Sequence, residues 1–186
     1  VPMEELLVQI QRRQVSRKAT RLLFDGPPGG GKTQGALYLA REAGLEAAVY
    51  RPSDLLSPFV GVAEKNIARM FREAEERGTL LVLDEADALL SNRANARRSW
   101  ELTQAAEFLQ GLQEFGGTLI ACTNRITAID SALRRRFHQW VTFGPLPPEL
   151  LQEALEHLFP GVAFAPAHLS ELYAGPFLMM SDLANA

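Results

Sequence analysis

Residues 26–33 read GPPGGGKT, between the apolar stretch RLLF and the helix-spaced stretch QGALYLAREAG. Gly26, Gly31, Lys32 and Thr33 satisfy the spacing G-x-x-x-x-G-K-[ST] in a strand, loop, helix context. The chemistry explains each choice. Glycines let backbone N–H groups converge on phosphate oxygens, and the following helix start adds its positive dipole end. A lysine reaches the β and γ phosphates, and a hydroxyl suits magnesium. The pattern assigns Gly26, Pro27, Pro28, Gly29, Gly30, Gly31, Lys32, Thr33 and Gln34 to a nucleotide cradle, with Thr33 on the metal. A flexible turn is the competing reading, but a chance match in a chain of this size arises at roughly the one-in-a-hundred level.

LLVLDEAD at residues 80–87 supplies the acids such a cradle needs. At the carboxyl end of a parallel strand, Asp84 and Glu85 would face the ligand crevice. Asp84 would hold magnesium directly or through water, and Glu85 would orient and polarise an attacking water. Without the loop upstream, the same pair would read as a solvated helix start. ACTN ends a further apolar run at Thr123 and Asn124, where an amide could bond the γ phosphate or the water; asparagine also caps helices. SALRRRF offers Arg134, Arg135 and Arg136. A guanidinium donated from a neighbouring subunit would stabilise the transferring phosphoryl group, whereas a basic helix end favoured by the dipole is the plainer alternative.

The elements that must position these residues follow from periodicity. MEELLVQIQRRQVSRK predicts a lead-in helix through Leu6, Leu7 and Ile10 that turns basic before the strand TRLLFD. After the loop, a helix presents Ala36, Leu37, Ala40 and Ala43 on one face and stops at Gly44. EAAVYR is a short strand, PSDLLSPFVGVA a loop, and EKNIARMFREAEERG a helix with Ile67, Met70, Phe71 and Ala74 inward. TLLVLD lacks alternation, as a strand covered on both faces should. SNRANARR reads as a loop; SWELTQAAEFLQGLQEF is a helix capped by Ser99 with Leu102, Ala106, Leu109 and Leu112 inward. GTLIACTN and HQWVTF complete five strands. Strands alternating with helices give an α/β fold, a parallel sheet sandwiched by helices. Three prolines in GPLPPELL mark a joint, so residues 1–146 form the large α/β unit and 147–186 begin a helical appendage.

A chain of 186 residues with 47% hydrophobic residues can bury a sizeable core. Its formal charge of -3 gives no general pull toward nucleic acid or anionic membrane, so nucleic acid is not expected as a partner, although a local basic patch is compatible with it. Cys122, alone in its apolar stretch, reads as a buried thiol and suits a reducing, cytoplasmic setting. The apolar runs fall short of the ~20 residues that span a bilayer, and acidic residues stand where a signal peptide carries basic ones.

Taken together and in order, LLFDGPPGGGKT, LLVLDEAD, ACTN and AIDSALRRRFHQWVTFGPLP resemble the AAA+ ATPases over about residues 20–148. The likeness is to the branch that includes proteasomal ATPases and membrane-tethered AAA proteases. The resemblance implies a P-loop NTPase fold with a helical lid, here partial; Walker A and Walker B segments; ATP and Mg2+ as cofactors; and ATP hydrolysis. It implies a ring, as a hexamer, whose arginines act between subunits, and a protein client that is remodelled, unfolded or threaded. Phe59, Val60 and Gly61 match an aromatic, aliphatic, glycine pore loop that grips a polypeptide. Read from composition alone, Phe59 is an exposed loop aromatic or a core anchor.

Three departures stand out. Gly30 replaces the usual threonine of the phosphate loop. LRRRF lacks the Pro-Gly that separates two arginines in many relatives, so Arg136 aligns with the second finger while Arg134 or Arg135 is the first. No HExxH zinc-protease motif is present in the chain. The competing readings are a nucleotide-controlled assembly scaffold that threads nothing, a nucleic-acid motor, and a small-molecule kinase on the same loop.

Overall fold

The computed structural model describes residues 2–57, 59, 61–90, 99–129, 131–145 and 147–162. Five strands form one parallel sheet: β1 (Thr20–Asp25), β2 (Ala47–Tyr50), β3 (Leu80–Leu83), β4 (Thr118–Thr123) and β5 (Gln139–Thr142). Their spatial order is β2-β3-β4-β1-β5, with Leu22 opposite Ile120 on one side and Gln139 on the other. Every position of β3 and β4 is buried, which explains their unalternating sequences. The chain adds β1 first and then builds β2 three places and β3 two places away. The gap is filled by β4, so the carboxyl ends of β1, β3 and β4 share one crevice.

Side chains alternate along β1 and divide the core in two. Leu22 and Phe24 pack with Leu6 and Ile10 of α1 (Met3–Val15) and Ala36, Leu39 and Ala40 of α2 (Lys32–Glu42). Leu23 faces the opposite layer, where α4 (Val62–Arg77) and α6 (Ser99–Glu114) supply Ile67, Met70, Phe71, Phe108 and Leu112. Phe71 stacks obliquely on Phe108 and Phe115, with centroids 5.4 and 5.5 Å apart. It fits there because α6 carries Gly111: an added Cβ would stand 2.3 Å from the Phe71 ring.

Three local expectations change. On α2 Ala36 and Ala40 are buried as expected, but the inward leucine is Leu39, whereas Leu37 is only half-buried. The stop at Gly44 is as expected, with φ +69°. On α6 the apolar face is rotated: Ala105, Phe108 and Leu112 are buried, Leu109 is half-buried and Ala106 is exposed. Burying the Phe108 ring outweighs the evenly spaced small residues. The side chains of Ser99 and Leu102, and residues 91–98, where a loop was expected, lie outside the described residues. Within the expected loop after β2, Pro52–Leu55 forms α3, because Pro52 presets the first helical φ and Asp54 Oδ2 accepts the Arg51 N–H at 2.7 Å.

A short helix α5 (Asp87–Leu90) follows β3, and the crossover from β4 to β5 holds a 3-10 turn and α7 (Ser131–Arg134). Pro147 precedes α8 (Pro148–Leu158). The segment 163–186, including the helix expected at PAHLSELYAG, lies outside the described residues. No helix among the described residues is long and apolar enough to cross a membrane.

Candidate active site

The phosphate loop leaves the carboxyl end of β1 at Gly26 and enters α2 at Lys32, with Gly31 as its N-cap at φ +84°. Gly26 has φ +148°, and a Cβ there would lie 2.2 Å from the Phe143 carbonyl oxygen. Only glycine meets both demands. Phe143, just past β5, stacks against Phe24 with centroids 5.0 Å apart and touches the space at Gly35, so β5 roofs the loop from outside. Pro27, Pro28, Gly29 and Gln34 are exposed to solvent. A Cβ on Gly30 would stand 3.2 Å from the Pro27 carbonyl, so the missing threonine matches a tight loop.

Lys32 is buried, and its Nζ donates to the carbonyls of Gly26 at 2.9 Å and Pro27 at 2.7 Å. Burial lowers its pKa, while the acids Asp84, Asp25 and Asp87 act in the raising direction. Thr33 Oγ1 donates to Asp84 Oδ1 at 3.0 Å, joining the start of α2 to the end of β3. Asp84 is fixed from behind, since its N–H reaches the Tyr50 carbonyl at 2.9 Å and its Oδ1 also takes the Glu85 N–H at 3.1 Å. Glu85 is exposed and adopts φ +52°, a left-handed conformation uncommon for glutamate. That turn carries the chain away from the strand immediately after Asp84.

Among the described residues no three His, Cys, Asp or Glu side chains gather to hold a metal. Thr33 and Asp84 present hard oxygens side by side, which fits magnesium, an ion that completes its shell with phosphate and water. Cys122 is fully buried beneath this corner, where desolvation and then Asp84 push its thiol up to about 12. It is a neutral packing group, as its sequence context suggested.

Asp87 was not singled out by motif reasoning. Its Oδ1 accepts the Thr123 hydroxyl at 3.0 Å and the Asn124 N–H at 3.4 Å, so the turn after β3 sets the end of β4. Asn124 is exposed there, beside the crevice. The only sequence signal was a further acid two residues beyond Glu85. Asp25 and Phe143 were also missed. Asp25 Oδ1 accepts the Thr142 hydroxyl at 3.0 Å and so ties the loop's entry to the end of β5.

The arginines lie elsewhere. His138 N–H donates to the Arg21 carbonyl at 2.8 Å at the beginning of β1, five residues before the loop and therefore ~16 Å from it along a strand. Arg136 stands close enough to Arg21 to lower its pKa, second to burial. Arg134 is half-buried with its guanidinium 5.9 Å from the Trp140 ring centroid, and Arg135 and Arg136 are exposed. The structure thus gathers the loop, Asp84, Glu85 and Asn124 at the carboxyl end of the sheet and leaves the three arginines off that cluster.

Phe59 is 73% exposed, which removes the core-anchor reading. Its N–H reaches Ser57 Oγ at 3.2 Å, and Gly61, at φ +77°, caps α4. Val60 lies outside the described residues.

Comparison with known proteins yields a match to the family "ATPase family associated with various cellular activities (AAA)" over residues 22–145. ATPase family gene 2 protein homolog B of Bos taurus is 38% identical over 133 residues, covering 66% of this chain and 17% of that protein. The AAA family ATPase y4kL of Sinorhizobium fredii is 33% identical over 162 residues, 84% of this chain and 49% of its own. Fidgetin-like protein 1 of Drosophila melanogaster is 37% identical, with 74% and 27% covered. The chain therefore spans less than half the length of these relatives. A chain in the structure of an E. coli MS115-1 HORMA:CdnC:Trip13 complex superposes with a TM-score of 0.76 over 92% of this chain and 67% of that one, at 23% identity, a likeness of fold.

Proposed function

Because the chain belongs to the AAA family of ATPases, we propose that it binds ATP between the phosphate loop and Asp84, hydrolyses it, and uses the cycle to remodel, unfold or thread a protein client. The observation that carries this reading is the 3.0 Å hydrogen bond from Thr33 to Asp84, which joins phosphate cradle and metal-binding acid at one point. Lys32 exchanges its two carbonyl acceptors for the β and γ phosphates. Thr33 and Asp84 hold magnesium, which when bound neutralises charge on those phosphates. Glu85 takes a proton from the attacking water as a bond forms to the γ phosphorus and the bond to the bridging oxygen breaks, giving ADP and phosphate. Asn124 orients the water or a γ oxygen, held in register through the Asp87 contacts to its N–H and to Thr123.

Arg134, Arg135 and Arg136 act on a neighbour's nucleotide, the role that suits their distance from their own loop. The working form in this reading is a ring of six copies, and residues from 147 onward begin its lid. The exposed Phe59 with Val60 and Gly61 grips the client, a role favoured by its position in a loop at the start of α4. The single buried thiol suits a reducing cytoplasm.

Glu85→Gln is the direct test. ATP binding should persist while steady-state hydrolysis drops by about 10²-fold or more; normal turnover would overturn the catalytic assignment. Phe59→Ala should keep hydrolysis and lose client remodelling. Unchanged remodelling would favour a nucleotide-controlled scaffold.

A further inference from the structure

Asp84 and Ala86 send their N–H groups to opposite neighbours of β3: Asp84 to the Tyr50 carbonyl of β2 at 2.9 Å, Ala86 to the Cys122 carbonyl of β4 at 2.8 Å. On a continuing strand, N–H groups two residues apart point to the same side. The reversal is made at Glu85, whose φ of +52° is a left-handed conformation that costs energy for any residue with a Cβ. It leaves Glu85 exposed, buries Ala86 completely, and turns the Glu85 N–H back onto Asp84 Oδ1 at 3.1 Å. Such a conformation persists only where its surroundings hold it.

The hold comes from β4. Asp87 Oδ1 accepts the Thr123 hydroxyl at 3.0 Å and, at a longer 3.4 Å, the Asn124 N–H. Thr123 is fully buried and its Oγ1 in turn accepts the Arg125 N–H at 3.0 Å, so the group that holds Asp87 is itself fixed. An acid at the first position of a helix is ordinary, because it meets the positive dipole end. Two donors from a neighbouring strand on the same oxygen are not explained by the one turn of α5. With the Ala86 bond they close the chain onto β4 just after Glu85, while Asp84 closes it onto β2 just before.

On the reading that Glu85 activates water, we propose that Asp87 is a positioning residue for the base as well as for Asn124. It holds the left-handed turn so that the Glu85 carboxylate and the Asn124 amide act on one γ phosphate and its attacking water. A single carboxylate oxygen thereby sets the spacing of two groups that reach the site from different strands. Misplacing a reacting group by about 1 Å can cost on the order of 10²-fold in rate. Nucleotide binding, which depends on the phosphate loop, Thr33 and Asp84, is left intact.

Turnover at saturating ATP, measured beside the affinity for a fluorescent ATP analogue with Mg2+, separates this role from a structural one. Asp87→Ala should lower kcat by about tenfold or more and change nucleotide affinity by less than about threefold. Asp87→Asn keeps an acceptor oxygen and should recover most of the lost rate. Thr123→Val, nearly isosteric, cuts the same bond from its other partner while leaving the Asp87 charge that acts on Lys32, and kcat should fall in the same sense. It also tests the bond by itself if Asp87→Ala does not fold. In the Glu85→Gln background the effect of Asp87→Ala should shrink, because the base it positions is gone. An unchanged kcat in Asp87→Ala or Thr123→Val, a loss confined to ATP affinity, or losses that multiply fully with Glu85→Gln would overturn the proposal. Normal turnover in Glu85→Gln overturns the hydrolytic reading itself, a separate failure.

Discussion

His138 accepts the Arg21 N–H on Nδ1 at 2.9 Å, a bond that requires its neutral form. Burial, and then Arg13 and Arg21, lower its pKa below the ordinary 6.5. The unfolded chain therefore binds the proton more readily, and stability falls as pH drops through 6.5 and below. Thermal unfolding followed between pH 7.5 and 5 should give a declining midpoint, and His138→Asn, which keeps an acceptor oxygen, should flatten that decline. Equal slopes in the two proteins would remove His138 from the account. The meeting of Thr33 with Asp84 was legible in the sequence, because a loop and an acid that each follow an apolar strand of one parallel sheet come out at the same end of it. Asp87, Asp25 and Phe143 were not, since each acts on a partner brought near only by the sheet.

At the scale of elements, the α4 and α6 layer depends on a glycine. Gly111→Ala would drive a methyl into the Phe71 ring, and chemical denaturation should register a loss of about 1–3 kcal/mol. Adding Phe71→Leu should recover part of this, so that the double variant loses less than the sum of the singles. Additive losses would mean that the two side chains do not meet. The strands were readable because unalternating apolar runs between turn signals leave few other structures. The face of α6 was not, because Leu109 and Ala106 offer an acceptable helical stripe and only the position of Phe71 selects the one containing Phe108. The single turn of α3 escaped for a related reason: four residues carry no period, and its start depends on Asp54 folding back to Arg51.

For the whole molecule, the separation of Arg134, Arg135 and Arg136 from their own loop sets a test in mixed assemblies. A chain with all three changed to alanine, and a chain carrying Lys32→Ala, should each hydrolyse ATP poorly. Mixed, they should regain part of the rate, because an intact loop then meets intact arginines on a neighbour. A mixture no faster than its components would show that the arginines do not act between copies. The crevice at the carboxyl ends of the strands was legible, since the motifs each follow an apolar run of a parallel sheet, whereas the strand order that brings them side by side was not.

β1 lies between β4 and β5, and Asp25 meets Thr142 across a sequence separation of 117 residues. That feature has a consequence in time. During synthesis the phosphate loop emerges early, but the strands that flank β1 and the Phe143 carbonyl that shapes Gly26 emerge late. A ribosome must therefore release nearly the whole sheet before the loop can hold a nucleotide, and until then the motif is present without its function.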